Sequence, residues 1–105
     1  MSFIMQNDWV GFRNLKINTK TNDVYVDDDM VKMTKTEFKL LHFLISGNRR
    51  IYSLEELVHA TWGKVVVTNK TINTHLSHIR TKIKGVNFKI RLNRSGHVCI
   101  NDLTP

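Results

Sequence analysis

Two copies of one helix-start pattern constrain the fold of this chain more than any other feature of its sequence. Each copy is a capping box, in which a hydroxyl residue is followed three positions later by a glutamate: Thr34 precedes Glu37, and Ser53 precedes Glu56. Apolar residues recur at helical spacing after each box, and a glycine follows each run. The pattern therefore predicts two successive helices, the second over about 54–62.

A third helical pattern, in the segment 68–85, is unusual in its charge. Its apolar residues are spaced four, three and four positions apart, which places them on one side of a helix: Ile72, Leu76, Ile79 and Ile83. Either Thr68 or Asn69 provides the N-cap. The segment carries four Lys/Arg and no acidic residue. It predicts a helix over 70–83 whose outer surface carries no negative charge.

Short apolar runs flank the three helical patterns on both sides. The runs 14–18, 23–27 and 30–33 are separated by turn residues and predict three or four antiparallel strands. After the third helix, the runs 87–92 and 97–100 flank a turn that contains glycine. This arrangement predicts a β-hairpin.

The order of strands, three helices and hairpin defines the fold class. We predict an α+β winged helix-turn-helix, with an N-terminal antiparallel sheet, three helices and a C-terminal β-hairpin wing over 88–100. The domain is expected to span 12–101, with a flexible start at 1–11 and a tail at 102–105. A chain of 105 residues fits one such domain.

The net charge of +7 lies entirely in one part of the chain. Residues 1–62 hold eight Lys/Arg and eight Asp/Glu, whereas residues 63–105 hold eight Lys/Arg and only Asp102. A one-sided excess of this kind indicates a surface that faces a polyanion, most commonly a nucleic acid. An anionic membrane surface is the rival. A membrane-surface helix would carry large apolar residues such as Trp or Phe at its rim, and the predicted third helix has none.

A helical wheel of the predicted third helix sorts its outer side chains by position. Opposite the apolar line lie Lys70, Thr74, Ser77 and Thr81, with Asn73 and Arg80 on one flank, His78 and Lys82 on the other, and His75 near the apolar edge. Small hydroxyl and amide side chains fit a major groove and form hydrogen bonds with base edges. Cations on the flanks suit phosphate oxygens. These nine residues are the helical part of the predicted DNA-binding set.

Other functional classes find less support in the sequence. His75 and His78 stand three positions apart, but no third ligand has suitable spacing for a metal, and no catalytic motif is present. We expect no enzymatic activity, no metal and no cofactor. Single-stranded RNA modules stack bases on exposed aromatics, and the basic third offers only Phe88, an expected core residue. The main alternative is a winged helix that binds protein, for example RNA polymerase, without base readout.

Four segments resemble the OmpR/PhoB-type effector domain of bacterial response regulators: MTKTEFKLLHFLI, YSLEELVHATWG, NKTINTHLSHIRTKI and RLNRSGHVCI. The similarity covers about 12–100. It implies an N-terminal four-stranded sheet, three helices and a hairpin wing. It further implies transcription regulation through double-stranded promoter DNA, commonly by a homodimer on repeated half-sites. Loop 63–69 matches the loop that touches RNA polymerase in some relatives.

The resemblance also implies roles for positions in the third helix. Lys70 matches a phosphate contact at the helix start, and Thr74 matches a position that meets a thymine methyl group. Ser77 and His78 stand where relatives usually carry arginines that reach phosphate or base. The remaining matches, at positions that border the DNA backbone, are His75 and Arg80. Because the arginines are replaced, the base preference of relatives cannot be copied to this chain.

The predicted wing departs from the family pattern at its tip. Arg91 and Asn93 align with wing residues that approach the minor groove, and Arg94 lies beside them. The family tip usually reads Gly-x-Gly-Tyr, whereas 94–97 reads Arg-Ser-Gly-His. The receiver domain of the family is absent from the sequence, so we expect an isolated output half or a naturally short chain. The single Cys99 and the lack of a signal peptide or membrane span favour the cytoplasm.

Overall fold

The computed structural model of the 105-residue chain describes residues 8–47, 49–93 and 95–102. Within these residues the chain forms seven strands and three helices. Their bounds are β1 Trp9–Phe12, β2 Leu15–Asn18, β3 Asp23–Val26, β4 Asp29–Val31, α1 Lys35–Ser46, β5 Ile51–Ser53, α2 Leu54–Trp62, α3 Asn69–Lys82, β6 Phe88–Leu92 and β7 His97–Asp102. The predicted α+β winged helix-turn-helix is confirmed.

The N-terminal sheet consists of β1 to β4, paired antiparallel in sequence order. Alternation along β2 and β3 turns Leu15, Ile17, Val24 and Val26 into the core. Strand β1 begins at Trp9, inside the segment 1–11 that the sequence analysis set apart. Its residues gave no clear pattern, because the four-residue strand has only partly buried apolar residues on its inner face.

Both predicted capping boxes are present and start α1 and α2 where the sequence analysis placed them. The Thr34 hydroxyl accepts a hydrogen bond from the Glu37 N–H (3.1 Å), and the Glu37 carboxylate accepts one from the Thr34 N–H (2.9 Å). Ser53 and Glu56 repeat this exchange at 3.1 and 2.9 Å. Each box satisfies two backbone donors that a helix start otherwise leaves unpaired.

The C-terminal sheet, in the order β5, β7, β6, contains a strand that the sequence analysis missed. Strand β5 is only three residues long, too short to show alternation, and it pairs with β7 through Ile51 to Ser53. Ser53 both ends β5 and caps α2. The N–H of Leu54 donates a hydrogen bond to the carbonyl of Gly96 (3.3 Å). The wing turn is thus bonded directly to the start of α2.

Helix α3 presents its predicted apolar line to the core. Ile72, Leu76 and Ile79 are fully buried and share one cluster with the inner residues of α1 and of both sheets. The helix begins after the Thr68 cap and ends at Lys82, one residue from each predicted bound. Ile83 follows as the C-cap and is also buried. This packing leaves the opposite side of α3 facing outward.

Asn14, in the turn between β1 and β2, joins the N-terminal sheet to the segment before β6. Its side-chain amide donates hydrogen bonds to the Gly85 carbonyl (2.9 Å) and to the Asp27 carboxylate (3.0 Å). Its carbonyl oxygen accepts one from the Asn87 N–H (2.8 Å). One side chain therefore connects segments more than seventy positions apart in sequence.

Candidate nucleic-acid interface

The outer side of α3 is exposed along its whole length. The exposed members of the predicted set on this helix are Lys70, Asn73, Thr74, Ser77, His78, Thr81 and Lys82. The helix carries no acidic residue. Its positive N-terminal end and its basic last turn therefore add to one cationic surface.

Two threonines on this surface use their hydroxyl donors within the helix. Thr74 Oγ1 donates to the carbonyl of Lys70 (2.9 Å), and Thr81 Oγ1 donates to the carbonyl of Ser77 (3.1 Å). What each side chain has left to offer a ligand is a methyl group and an acceptor oxygen. This pair of features suits contact with a thymine methyl group rather than donation to a base.

Lys82 and His78 lie on the flank of α3 that faces the start of α1. The Lys82 Nζ atom lies 2.6 Å from Oε1 of Glu37, and the His78 Nδ1 atom lies 3.7 Å from Oε2. Burial raises the pKa of Glu37, but hydrogen bonds from Lys82 and the Thr34 N–H, with the nearby positive charges, outweigh it and lower that pKa below its ordinary value. The cationic flank is thus partly neutralised at this point.

Arg80 lies on the other flank and points toward the wing. Its Nε atom donates a hydrogen bond to the carbonyl of Ile90 in β6 (2.6 Å). The side chain is half-buried, and burial lowers the pKa of its guanidinium from the ordinary value. Arg80 therefore connects α3 to the wing as well as bordering the outer surface.

His75 is half-buried at the edge of α3 and packs toward α2. Its ring centroid lies 5.5 Å from that of Trp62, with the ring planes tilted by 51°. Among the predicted residues on α3, His75 and Arg80 are the two that are half-buried rather than exposed. The structure therefore separates His75 from the exposed row formed by Lys70, Thr74, Ser77 and Thr81.

In the wing, Arg91 is exposed on β6, whereas Asn93 organises the turn. The Asn93 side-chain oxygen accepts hydrogen bonds from the Ser95 N–H (3.0 Å), the Ser95 hydroxyl (2.8 Å) and the His97 N–H (3.0 Å). Gly96 supplies the positive φ of 82° that completes the turn. The third predicted wing residue, Arg94, lies outside the described residues.

A groove of ≈ 480 Å³ runs between the end of α3 and strand β6. Its floor is formed by Ile83, Val86, Phe88 and Ile90, and its cations are Arg80, Lys84, Lys89 and Arg91. Among the described residues that line it, no acidic side chain occurs. The predicted set omitted Lys84 and Lys89, which are exposed in the basic last third of the chain. The excess of Lys and Arg over residues 63–105 could have indicated that Lys84 and Lys89 belong to the predicted DNA-binding set.

Comparison with known proteins identifies the family. A family model described as "Transcriptional regulatory protein, C terminal" matches residues 28–94. The chain belongs to this family. The resemblance to the OmpR/PhoB-type effector domain is thereby confirmed. The matched residues run from the turn before β4, through all of α1, α2 and α3, to the tip of the wing.

Two curated transcriptional regulators illustrate how this family member relates to longer proteins. The transcriptional regulatory protein VxrB of Vibrio cholerae is 34% identical over 77 residues, which cover 72% of this chain and 31% of VxrB. The phosphate regulon regulatory protein PhoB of Shigella flexneri is 32% identical over 76 residues, which cover 71% of this chain and 33% of PhoB. The chain thus spans about a third of the length of these relatives.

A solved structure supports the fold of this C-terminal regulatory domain. The DNA-binding domain of response regulator AdeR, in complex with an intercistronic region, superposes with a TM-score of 0.74 at 24% identity. The alignment covers 90% of this chain and 99% of the AdeR domain. At this level of identity the likeness establishes the winged-helix fold.

The described part of this family member carries neither a metal-binding cluster nor a membrane-spanning helix. Across residues 8–47, 49–93 and 95–102, His, Cys, Asp and Glu side chains form no cluster able to hold a metal ion. In the same residues, none of the helices has the length and apolar character that a membrane span requires.

Proposed function

We propose that this domain binds double-stranded promoter DNA sequence-specifically as part of a transcriptional regulator. The observation that carries the proposal is the outward row of Lys70, Thr74, Ser77 and Thr81 on an acid-free helix whose other side is buried. In this arrangement α3 lies in the major groove and the wing lies at the minor groove. Family membership and the fold shared with DNA-binding domains support it.

The exposed residues of α3 divide into two roles by their chemistry. Thr74, Ser77, Thr81 and Asn73 are short enough to approach base edges, and Thr74 meets a thymine methyl group. Lys70, at the start of the helix, binds a phosphate together with the N-terminal backbone N–H groups. This division supports a role for the middle of α3 in recognising the base sequence and for its first turn in binding the DNA backbone.

The remaining predicted residues border this surface. His78 and Lys82 approach phosphates on the flank next to α1, and His75 and Arg80 lie at the helix edges. In the wing, Arg91 and Arg94 are the cations that approach the minor groove, while Asn93 holds the turn between β6 and β7. The family pattern further suggests a homodimer on repeated half-sites, in which each subunit contributes one such surface.

A second candidate function rests on the loop between α2 and α3. Val66 is 92% exposed and Val65 is 60% exposed, and neither position contributes to the core. Exposed apolar residues next to a DNA-facing helix suit contact with another protein. We infer that loop 63–69 contacts RNA polymerase when the domain is bound at a promoter.

Fluorescence anisotropy on a library of duplexes at several salt concentrations tests the main proposal. If about five cations neutralise phosphates, log affinity falls with log salt at a slope of about −4 to −5. Lys70→Ala should weaken binding to all duplexes and reduce the slope by about 0.9. Lys20→Ala, which removes an exposed cation in the turn between β2 and β3, is the control and should change neither.

The same measurements separate the proposal from its main alternative. A flat salt response with no preference among duplexes would contradict DNA binding and favour a winged helix that binds protein without base readout. For the loop, a Val65→Ser, Val66→Ser double variant should bind DNA as the unaltered chain does but activate transcription less in a reconstituted assay. Unchanged activation would remove the RNA polymerase contact and leave DNA binding intact.

A further inference from the structure

The hydrogen bond between Arg80 and Ile90 joins two elements that the proposed function needs at different grooves. Arg80 lies in the last turn of α3, and Ile90 is the middle residue of β6. The bond from Arg80 Nε to the Ile90 carbonyl is 2.6 Å long and partly shielded from solvent. Short bonds to a charged donor are among the stronger hydrogen bonds in proteins.

The position of β6 in its sheet determines what the hydrogen bond between Arg80 and Ile90 can hold in place. Among the described strands, β6 lies at the edge of the C-terminal sheet, with β7 on one side and the groove beside α3 on the other. Ile90 pairs with Ile100 in β7, so its carbonyl belongs to the centre of the hairpin rather than to a frayed end. A bond at this point therefore links the end of α3 to the middle of the wing.

We propose that Arg80 is a positioning residue, which holds the wing at a fixed orientation to α3 so that both engage one duplex together. This inference rests on the proposed function. A rigid connection removes the entropic cost of ordering the wing when DNA binds. Once α3 is bound in the major groove, binding by the wing then becomes an intramolecular step. In this role the Nε donor of Arg80 acts through the protein, not on the DNA.

The groove beside the bond gives a second reason for this role. Arg80, Lys84, Lys89 and Arg91 come from both of its walls, two from the α3 side and two from β6. Their mutual spacing depends on how the walls are held, because positive charges on facing walls repel each other. By bonding to Ile90, Arg80 offsets that repulsion and keeps the cations at one spacing.

Two substitutions separate the donor of Arg80 from its charge. Glutamine places a neutral N–H donor at the same number of bonds from Cα as the arginine Nε. Methionine has similar length and volume but has neither donor nor charge. Arg80→Gln should retain duplex affinity within about twofold, whereas Arg80→Met should lose about tenfold, which corresponds to about 1.4 kcal/mol. The slope of log affinity against log salt should stay unchanged in both variants.

The opposite pattern would overturn the inference. If Arg80 instead neutralises a phosphate, Gln and Met should lose affinity equally and each should reduce the salt slope by about 0.9. Lys84→Met is the matched control, because it removes a cation from the same groove without the bond to β6. Thermal unfolding of each variant shows whether a loss of affinity follows a loss of fold.

A double-mutant cycle with Arg91→Ala distinguishes positioning of the wing from a general loss of fold stability. If Arg80 acts by positioning the wing, the effect of Arg80→Met should shrink to under twofold once Arg91 is removed. An independent effect of the full tenfold would overturn the inference.

NMR spectra of the free protein give a readout that needs no DNA. Backbone amide signals of β6 should shift in Arg80→Met and return toward their original positions in Arg80→Gln. Unshifted signals in Arg80→Met would overturn the inference alone. Failure of the unaltered chain to bind any duplex would instead overturn the proposed function, with the spectra still reporting whether the bond to Ile90 holds the wing.

Discussion

Lys82 at the end of α3 and Glu37 in the first turn of α1 form an ion pair, with Nζ and Oε1 2.6 Å apart. The Glu37 side chain is only 3% exposed, and its carboxylate also accepts the Thr34 N–H of the capping box. One buried carboxylate therefore both caps α1 and links its first turn to the end of α3. The orientation of the proposed reading helix depends on this residue as well as on its apolar contacts.

We expect Glu37→Gln to lower the free energy of unfolding by about 1–2 kcal/mol at pH 7, because it removes a charged hydrogen bond but preserves the capping box. The pKa of Glu37 is lowered in the fold, so the unfolded chain takes up the proton first. The stabilisation is therefore fully present well above the ordinary value of 4.5 and is lost as pH falls through that value and the folded pKa.

Urea denaturation from pH 7 to pH 3 checks this expectation. The stability difference between the unaltered chain and Glu37→Gln should shrink toward pH 3. Glu55→Gln, at an exposed glutamate in the first turn of α2, is the control and should show a smaller difference throughout. A difference for Glu37→Gln that stays constant down to pH 3 would contradict a charge-dependent role.

The helix-internal hydroxyl bond of Thr74 predicts which part of its side chain reads DNA. Thr74→Val keeps the methyl group and should retain the preference among duplexes, whereas Thr74→Ser should lose it. Replacing thymine by deoxyuridine removes the base methyl and should weaken binding of the unaltered chain about threefold to fourfold, the effect of about one buried methyl group.

Anisotropy with thymine and deoxyuridine duplexes measures the effect. Thr74→Ser should bind both duplexes equally, and Thr21→Ser, in the turn between β2 and β3, serves as the control with the original discrimination. If Thr74→Ser still discriminates as well as the unaltered chain, the methyl contact must be assigned to another residue.

Gly47, which ends α1, is required by the neighbouring Tyr52 and not by its own backbone. Its φ of −70° suits any residue, but a Cβ atom there would lie 2.5 Å from the Tyr52 hydroxyl oxygen and 2.8 Å from Cε2. Tyr52 cannot yield, because it is fully buried and its hydroxyl donates to the Leu44 carbonyl at 2.6 Å. We expect Gly47→Ala to destabilise the fold by about 1–3 kcal/mol through overpacking.

The midpoint of urea denaturation measures this effect. Gly11→Ala is the matched control, because the nearest atom to its added Cβ, the Leu15 carbonyl oxygen, lies at an ordinary 3.5 Å. Equal midpoints for Gly47→Ala and Gly11→Ala would show that the end of α1 relaxes without cost.

The three hydrogen bonds of Asn14 predict that it couples the N-terminal sheet to the rest of the domain. Asn14→Ala leaves the Gly85 carbonyl and the Asn87 N–H without this partner and should cost about 1–2 kcal/mol. Hydrogen exchange should show faster exchange at Asn87, and Asn73→Ala, at an exposed asparagine of α3, should have little effect on stability. Unchanged exchange at Asn87 would contradict the coupling.

Most of the fold follows from local signals in the sequence. The capping boxes at Thr34 and Ser53 depend on residues three positions apart, so the sequence alone defines them. Strand β5 depends on pairing between Ile51 and Cys99, nearly fifty positions apart, and three residues carry no pattern of their own. Strand β1 pairs locally with β2, and it was missed because its own four residues are exposed or only partly buried and show no clear apolar pattern.

The candidate site shows the same division between local and distant information. A helical wheel correctly turns Lys70, Thr74 and Ser77 outward, because periodicity alone decides which side of α3 meets the core. It cannot show that Arg80 bonds to Ile90 or that Lys82 pairs with Glu37, since these partners come from distant segments. The partners of long cationic side chains are fixed by tertiary structure.

The hydrogen bond from the Leu54 N–H to the Gly96 carbonyl also limits where residues can be inserted into the wing. Because Ser53 ends β5 and caps α2 with no residue between them, the hairpin turn and the start of α2 are held at a fixed separation. An insertion between Asn93 and Ser95 would separate the Asn93 side-chain oxygen from the Ser95 and His97 N–H groups that it binds. An insertion after Gly96 would instead shift the register of β7 and displace the start of α2 in one step.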